Sequence, residues 1–375
     1  MGPISIIGAG GFVGTCLVES LVLGGATDIR AIVRAYRSFA SLSRFGPAIA
    51  MHVANAQDPA SLLPVIRGSS TVINLTTGAP ADILQTTQAI FNACVAGGVD
   101  RLIHLSSAVV YGEVLSPEVN DDSPPDSRHW MPYARSKAAS EVWLRQQISK
   151  PSLQVAVLRP GVVWGPRSPH TLAFVKALLD KTACLVDGGR GIFNSIYIDN
   201  LIDGIQACHN HPADITGFYN VSDHETVTWR DFYATFAPYV GCDIDKLPNV
   251  SGDRFPWAAR AMVDRVRSLP LISGLSDRLK ARLPDRAKAR IKAFLAGPYN
   301  YEGTAPGYAT KPIIDREVWS LQRTKHKLPT IKFGRRFDFI PPVRFEEGVR
   351  RTVRWLAFLG YVPHQADSSN NGVIP

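Results

Sequence analysis

Short apolar runs alternate with helical stretches over the first 165 residues. ISIIGA predicts a strand, residues 12–24 a helix and IRAIVR a second strand. TVINLTT reads as a strand, residues 82–97 as a helix and RLIHLSS as a strand, followed by a helix over 133–148 and a strand at LQVAVLRP. The strand runs are apolar throughout instead of alternating, as expected when both sheet faces are buried. Strand–helix alternation implies right-handed crossovers and a parallel sheet covered by helices on both faces. The expected class is therefore α/β with a doubly wound parallel sheet. After Pro160 the rhythm loosens. TLAFVKALLDK predicts a helix, NSIYIDNLIDGIQACHN a strand and then a helix, FYNVSD a short strand, and residues 230–240 a helix. FEEGVRRTVRWLAFLGY predicts a final amphipathic helix, residues 297–312 a Gly/Pro-containing loop, and HQADSSNNGVIP a polar, disordered tail.

The first strand runs directly into a glycine turn and a helix, ISIIGAGGFVGTCLVESL, with Gly8, Gly11 and Gly14 three apart. Glycines there permit a tight turn and close approach of a pyrophosphate, and the helix start offers free N–H groups and a positive dipole end. Strand before and helix after is the context a dinucleotide loop requires. Gly8, Gly11, Phe12, Val13 and Gly14 are thus candidate cofactor residues. The second strand ends at Arg34, where an acid would suit a ribose 2′-hydroxyl; arginine suits a 2′-phosphate, and Arg37 stands close enough in sequence to share it. NADP(H) is the favoured cofactor and NAD(H) the alternative. Asp58, after the third strand, is a candidate for the adenine end. Residues 1–165 then form the dinucleotide-binding part, with 194–222 returning to it. Residues 166–193 and 223–362 form a smaller, mostly helical substrate-binding portion, and 363–375 a tail.

YARSK places Tyr133 and Lys137 four apart, on one face of a predicted helix. A free tyrosine titrates near pH 10. A neighbouring ammonium stabilises the phenolate, so Tyr133 is expected to have a lowered pKa and to exchange a proton with a substrate hydroxyl. Upstream, LIHLSSAVVYG ends a strand with Ser106 and Ser107, either of which can hold a reacting oxygen.

Four motifs in order, GAGGFVG, SSAVVYG, YARSK and LRPGVVWGPR, resemble the extended short-chain dehydrogenase/reductase family, the epimerase/dehydratase group; NSIYIDNLIDGI is a fifth similarity. The resemblance covers roughly residues 4–240 and implies a Rossmann-type fold. It selects Ser107, four before the tyrosine of VYG, as the catalytic serine beside Tyr133 and Lys137. It also implies that Lys137 contacts the nicotinamide ribose and that the cofactor touches Leu75 and Thr76 and the strand end from Arg159 to Val162, including Pro160 and Val162. Family dehydratases carry an acid pair where this chain has Ala108 and Val109, which cannot protonate a leaving hydroxyl. Epimerases usually carry Asn where Gly161 stands, and an arginine near Phe193 and Asn194. The expected reaction is therefore oxidoreduction of a secondary alcohol and ketone by hydride transfer, with an NAD-dependent nucleotide-sugar epimerase as the alternative. Ala108, Arg167 and Asn194 are candidate substrate contacts, Arg167 as a holder of pyrophosphate.

Composition adds limits. At 45% hydrophobic and 19% charged, the chain has enough apolar residues for a full core, and no apolar run is long enough to predict a membrane span. The N-terminus lacks a basic n-region, so its apolar stretch is read as a strand and not a signal peptide, and Ile6 breaks a myristoylation pattern. Five scattered cysteines without a CxxC exclude a zinc or disulfide framework, so no metal is expected and a cytoplasmic location is. The charge of +9 is uneven: residues 254–292 carry eleven Lys/Arg against three Asp/Glu. That segment is expected to form basic surface helices, or to contact a membrane surface or an acidic partner. It shows no nucleic-acid reader motif. Family resemblance also implies a homodimer through the YxxxK helix.

Overall fold

The structure is a computed structural model and describes residues 2–148, 153–253, 255 and 314–363. Nearly all of the basic segment 254–292, the loop expected over 297–312 and the tail from 364 lie outside the described residues.

The strands are β1 (Ile4–Ile7), β2 (Ile29–Val33), β3 (Ile49–Val53), β4 (Thr71–Asn74), β5 (Arg101–Leu105), β6 (Gln154–Pro160), β7 (Val162–Trp164), β8 (Leu185–Val186), β9 (Ser195–Tyr197), β10 (Gly217–Val221) and β11 (Asn249–Val250). The α-helices are α1 (Phe12–Leu23), α2 (Pro59–Ile66), α3 (Ile83–Ala96), α4 (Pro132–Gln147), α5 (Pro169–Leu179), α6 (Ile198–Asn210), α7 (Trp229–Phe236), α8 (Arg316–Gln322), α9 (Ile331–Phe337) and α10 (Phe345–Phe358).

Seven strands form one parallel sheet in the order β10-β6-β5-β4-β1-β2-β3. Its fold class is Rossmann-type α/β. Central strands β1 and β4 are buried along their whole length, which explains their mostly apolar character, with Ser5, Thr71 and Asn74 as buried polar exceptions. One face is sealed by Leu17, Val18, Leu201 and Ile205 from α1 and α6. The other is sealed by Leu62, Ile90, Cys94 and Leu144 from α2, α3 and α4. Strand order reverses between β1 and β4, which opens a crevice beyond their carboxyl ends, where ligands of such sheets bind.

Of the stretch 194–222, β10 enters the main sheet beside β6, whereas β9 pairs with β7 in a separate two-stranded ribbon. The helix expected over 230–240 is α7 followed by a 3-10 turn at Ala237–Val240, because Pro238 cannot continue the α-helical ladder. An aromatic cluster of Trp164, Phe174, Phe193, Trp229 and Phe232 joins this ribbon to α5 and α7. Among the described residues no helix is long and apolar enough to cross a membrane.

Candidate active site

The glycine turn shows why its residues must be small. Gly8 has φ +88°, and a Cβ there would meet the Leu75 carbonyl carbon at 3.1 Å. A Cβ on Gly14 would lie 2.3 Å from the Gly8 carbonyl oxygen and 2.7 Å from Ala9 Cα, so α1 can pack this close to β1 only with glycine. Gly11 caps α1 without any side-chain hydrogen bond, which leaves the first-turn N–H groups for an anion. A pyrophosphate therefore fits this turn, as the fold requires for a dinucleotide.

Gly11, Phe12, Val13 and Gly14 line one wall of a cleft of about 580 Å³. Leu75, Pro160 and Val162 line it too, as do Ser107, Ala108, Tyr133 and Asn194. Gly8 lies behind this wall as the hinge of the turn. Thr76 binds back onto Asn74 through both its amide and its hydroxyl, and Thr77 is the residue at the cleft. Arg34 and Arg37 are exposed, on the loop after β2 that packs on the glycine turn; Ser38 O lies 2.8 Å from where a Gly10 Cβ would be.

Two candidates stand elsewhere. Asp58 is the N-cap of α2, its carboxylate accepting from the Ala60 amide at 2.9 Å, and it does not line the cleft. Arg167, in a left-handed conformation at φ +68°, is paired with Glu19 of α1 at 2.6 Å and also does not line the cleft. Its guanidinium is engaged in this surface ion pair. Asn194 does reach the cleft, but its amide is occupied. It donates to His326 O at 2.8 Å and accepts from Leu328 N at 2.7 Å, holding the 326–328 segment in the wall.

The two serines separate cleanly. Ser106 is buried and donates to Glu141 Oε1 at 2.6 Å, while Ser107 caps the 3-10 turn Ala108–Tyr111 and faces the cleft. Glu141 and Arg159 form a fully buried ion pair beneath them, with Arg159 Nη2 2.6 Å from Glu141 Oε2 and Arg159 Nε 3.0 Å from both carboxylate oxygens. Arg159 also donates to Asp121 O at 2.8 Å and to the Tyr111 hydroxyl. Arg159 is therefore a strut under the site, although the neighbouring Pro160 lines it.

Tyr133 and Lys137 lie on one face of α4, the Lys137 ammonium 6.0 Å from the centre of the Tyr133 ring. Lys137 is buried and donates to Leu105 O at 2.8 Å. Burial pulls its pKa down to about 8, against the raising influence of Glu141. The Tyr133 hydroxyl is pushed up to about 12, first by burial and then by the Glu317 carboxylate. The lowering expected from Lys137 is not found: both causes acting on the Tyr133 hydroxyl raise it.

Two further residues complete the site. Glu113 follows the VYG motif, and Glu317 lies on α8, more than two hundred residues on; both line the cleft. Glu113 is clamped by Arg316 at 2.9 and 3.0 Å and by Ser320 at 2.9 Å, and Arg316 stacks on Trp130 at 4.7 Å. Burial alone would raise the Glu113 carboxyl, but the Arg316 and Ser320 bonds leave it lowered. The VYG tyrosine signals the place of Glu113; no local pattern announces Glu317. His129 and His170 also face the cleft, and burial lowers the pKa of both imidazoles. The rest of its far wall is apolar, with Val109, Leu115, Met131, Ile192, Leu321 and Leu328. Among the described residues its lining holds no lysine or arginine.

Comparison with known proteins agrees with this geometry. A 2-alkyl-3-oxoalkanoate reductase of Shewanella oneidensis is 25% identical over 246 residues, 60% of this chain and 62% of the reductase. The chain thus spans less than two thirds of that relative's length. A UDP-glucose 4-epimerase of Vibrio cholerae is 27% identical over 257 residues, 62% of this chain and 74% of the epimerase. Among solved structures, a dTDP-glucose 4,6-dehydratase of Streptomyces venezuelae with NAD bound superposes with a TM-score of 0.67, at 20% identity, over 96% of this chain and 99% of that one. A UDP-glucuronic acid 4-epimerase of Bacillus cereus, with NAD and UDP-glucuronic acid, gives 0.64 at 18% identity over 95% and 99%. These solved structures establish the shared fold. The family model for the NAD dependent epimerase/dehydratase family matches residues 4–222, more than half of the chain. With its glycine turn, its parallel sheet and its YxxxK helix, this chain belongs to the NAD dependent epimerase/dehydratase family.

Proposed function

We propose that the protein is an NADP(H)-preferring oxidoreductase that interconverts a neutral, largely apolar ketone and its secondary alcohol. The observation that carries this reading is the cleft itself. Its far wall is apolar, Glu317 is its one carboxylate without an ion pair among the described residues, and its described lining offers no lysine or arginine to a diphosphate. A nucleotide-sugar substrate brings two negative charges that such a wall would leave unpaired, at high cost away from water.

The nicotinamide, when bound, supplies or accepts the hydride. Ser107 holds the substrate oxygen by a hydrogen bond. Tyr133 gives its proton to that oxygen as the carbonyl is reduced and takes it back in oxidation. Lys137 keeps positive charge near the resulting phenolate and is oriented by the Leu105 carbonyl. Exposed Arg34 and Arg37, beside the glycine turn and without an acid among them, supply the charge that favours a 2′-phosphate. Similarity to the Vibrio cholerae UDP-glucose 4-epimerase supports a second reading, in which hydride returns to the same substrate on the other face.

Calorimetric binding of NADPH and NADH to the wild type and Arg34→Ala tests the cofactor part. Tighter binding of NADPH that weakens at least roughly tenfold in the variant is expected, one charge-assisted contact being lost. Equal affinities, or a preference for NADH, would refute the preference and strengthen the epimerase reading.

A further inference from the structure

Glu317 is a carboxylate of the cleft whose neighbours on α8 are already committed. Asp315 already caps α8 by accepting from Val318 N at 2.8 Å, so the helix start does not need Glu317. The adjacent Arg316 is spent on Glu113 and Trp130. Among the described residues Glu317 has no hydrogen bond or ion pair, and its side chain is open to the cleft. It lies near enough to Tyr133 to disfavour that residue's phenolate. Around it stand apolar Met131, Leu321 and Leu328 and the imidazole of His129, whose pKa burial lowers. Burial and the neighbouring Asp315 raise the Glu317 carboxyl above the usual carboxylate range. Because Glu113 is neutralised by Arg316, the net fixed charge of the described far wall is set by Glu317 in its ionised form.

We infer that Glu317 is a specificity-determining residue that filters substrates by charge: it admits neutral ketones, binds an ammonium or hydroxyl group at the end of the substrate away from the reacting carbonyl, and rejects anionic groups there. This deepens the proposed reductase reading and rests on it for the identity of the reacting group. A carboxylate in a partly dehydrated cleft accepts strongly from cationic and hydroxyl donors. It repels a like charge a few ångströms away far more than water would allow, since the effective dielectric near the protein is low.

The test uses three probes on one skeleton: 4-methylacetophenone, 4-acetylbenzoate and 4-(aminomethyl)acetophenone, with UDP-glucose as a diphosphate probe. Each is measured for equilibrium binding to the full chain in the presence of NADP(H) and for turnover, in wild type, Glu317→Gln and Glu317→Lys. In the wild type the carboxylate should bind at least roughly tenfold more weakly than the methyl compound, and the ammonium compound more tightly. Glu317→Gln should shrink both ratios to within about threefold, and Glu317→Lys should reverse their order. A merely structural role would lower all affinities together and leave the ratios alone. Unchanged ratios in Glu317→Gln, or wild-type binding of 4-acetylbenzoate or UDP-glucose tighter than of the neutral ketone, would overturn the inference. Ratios that behave as expected while no ketone is reduced would uphold the charge filter and refute the reductase.

Discussion

Replacing Glu141 by glutamine removes one charge from a pair that has no access to water. Both side chains are fully buried, and Glu141 receives three donated contacts from Arg159 together with one from Ser106. The variant leaves a guanidinium facing a neutral amide, and its nitrogen end must meet a donor. Breaking a buried pair in this way costs about 3–5 kcal/mol, a large share of the roughly 5–15 kcal/mol that holds a domain together. At about 2 °C per kcal/mol for a large domain, the melting temperature should fall by roughly 6–10 °C. Much of that cost is the stranded charge and not the worth of the pair. The double variant Glu141→Met, Arg159→Met should therefore be markedly more stable than Arg159→Met alone. Urea titration and thermal unfolding monitored by circular dichroism read both effects. A loss under about 0.5 kcal/mol in Glu141→Gln, or strictly additive Met variants, would refute the claim that this pair is a coupled, buried strut beneath the two serines.

Three further outcomes follow from the same geometry. Gly14→Ala puts a methyl group 2.3 Å from the Gly8 carbonyl oxygen, so α1 must move away from β1; NADPH affinity should fall at least roughly tenfold by calorimetry, and wild-type affinity would contradict the close packing. Lys137 titrates near pH 8, with its cation present below that value and lost above it. Ketone reduction should therefore decline as pH rises through about 8, and a kcat/KM profile flat well beyond that value would remove Lys137 from the proton-transfer step. Ser107→Ala should lower kcat by roughly a hundredfold with little change in NADPH affinity, whereas Ser106→Ala should chiefly cost stability; the reverse pattern, in steady-state rates and melting curves, would contradict the division of labour between the two serines.

The central sheet is legible in the sequence because its strands are buried on both faces and hence mostly apolar, with few polar positions such as Ser5 and His104. Edge strand β3 is harder to read, since Met51 and Val53 point to solvent and the pattern breaks. The two-residue strands β8 and β11 are too short to carry any period. Glycine spacing and the YxxxK spacing are legible because each is imposed by local geometry. Arg167 and Asp58 show why charge near a motif is ambiguous: such a residue can serve an ion pair or a helix cap as well as a ligand. Which serine faces the cleft depends on Glu141, thirty-five positions from Ser106, and only the resemblance anticipates it. Glu317 reaches Tyr133 through tertiary packing of α8, so no local spacing encodes it. The raised pKa of Tyr133 escapes the sequence as well, because it comes from burial and from a carboxylate distant in the chain.

The most direct test of the account is net oxidation of NADPH by a neutral aryl ketone such as 4-methylacetophenone, followed by the near-ultraviolet absorbance of the reduced nicotinamide, in the wild type and in Tyr133→Phe. The account predicts stoichiometric consumption of NADPH by the wild type and loss of most turnover in Tyr133→Phe with cofactor affinity nearly intact. Conversion of UDP-glucose without net change in the cofactor, or equal ketone turnover in both proteins, would contradict it.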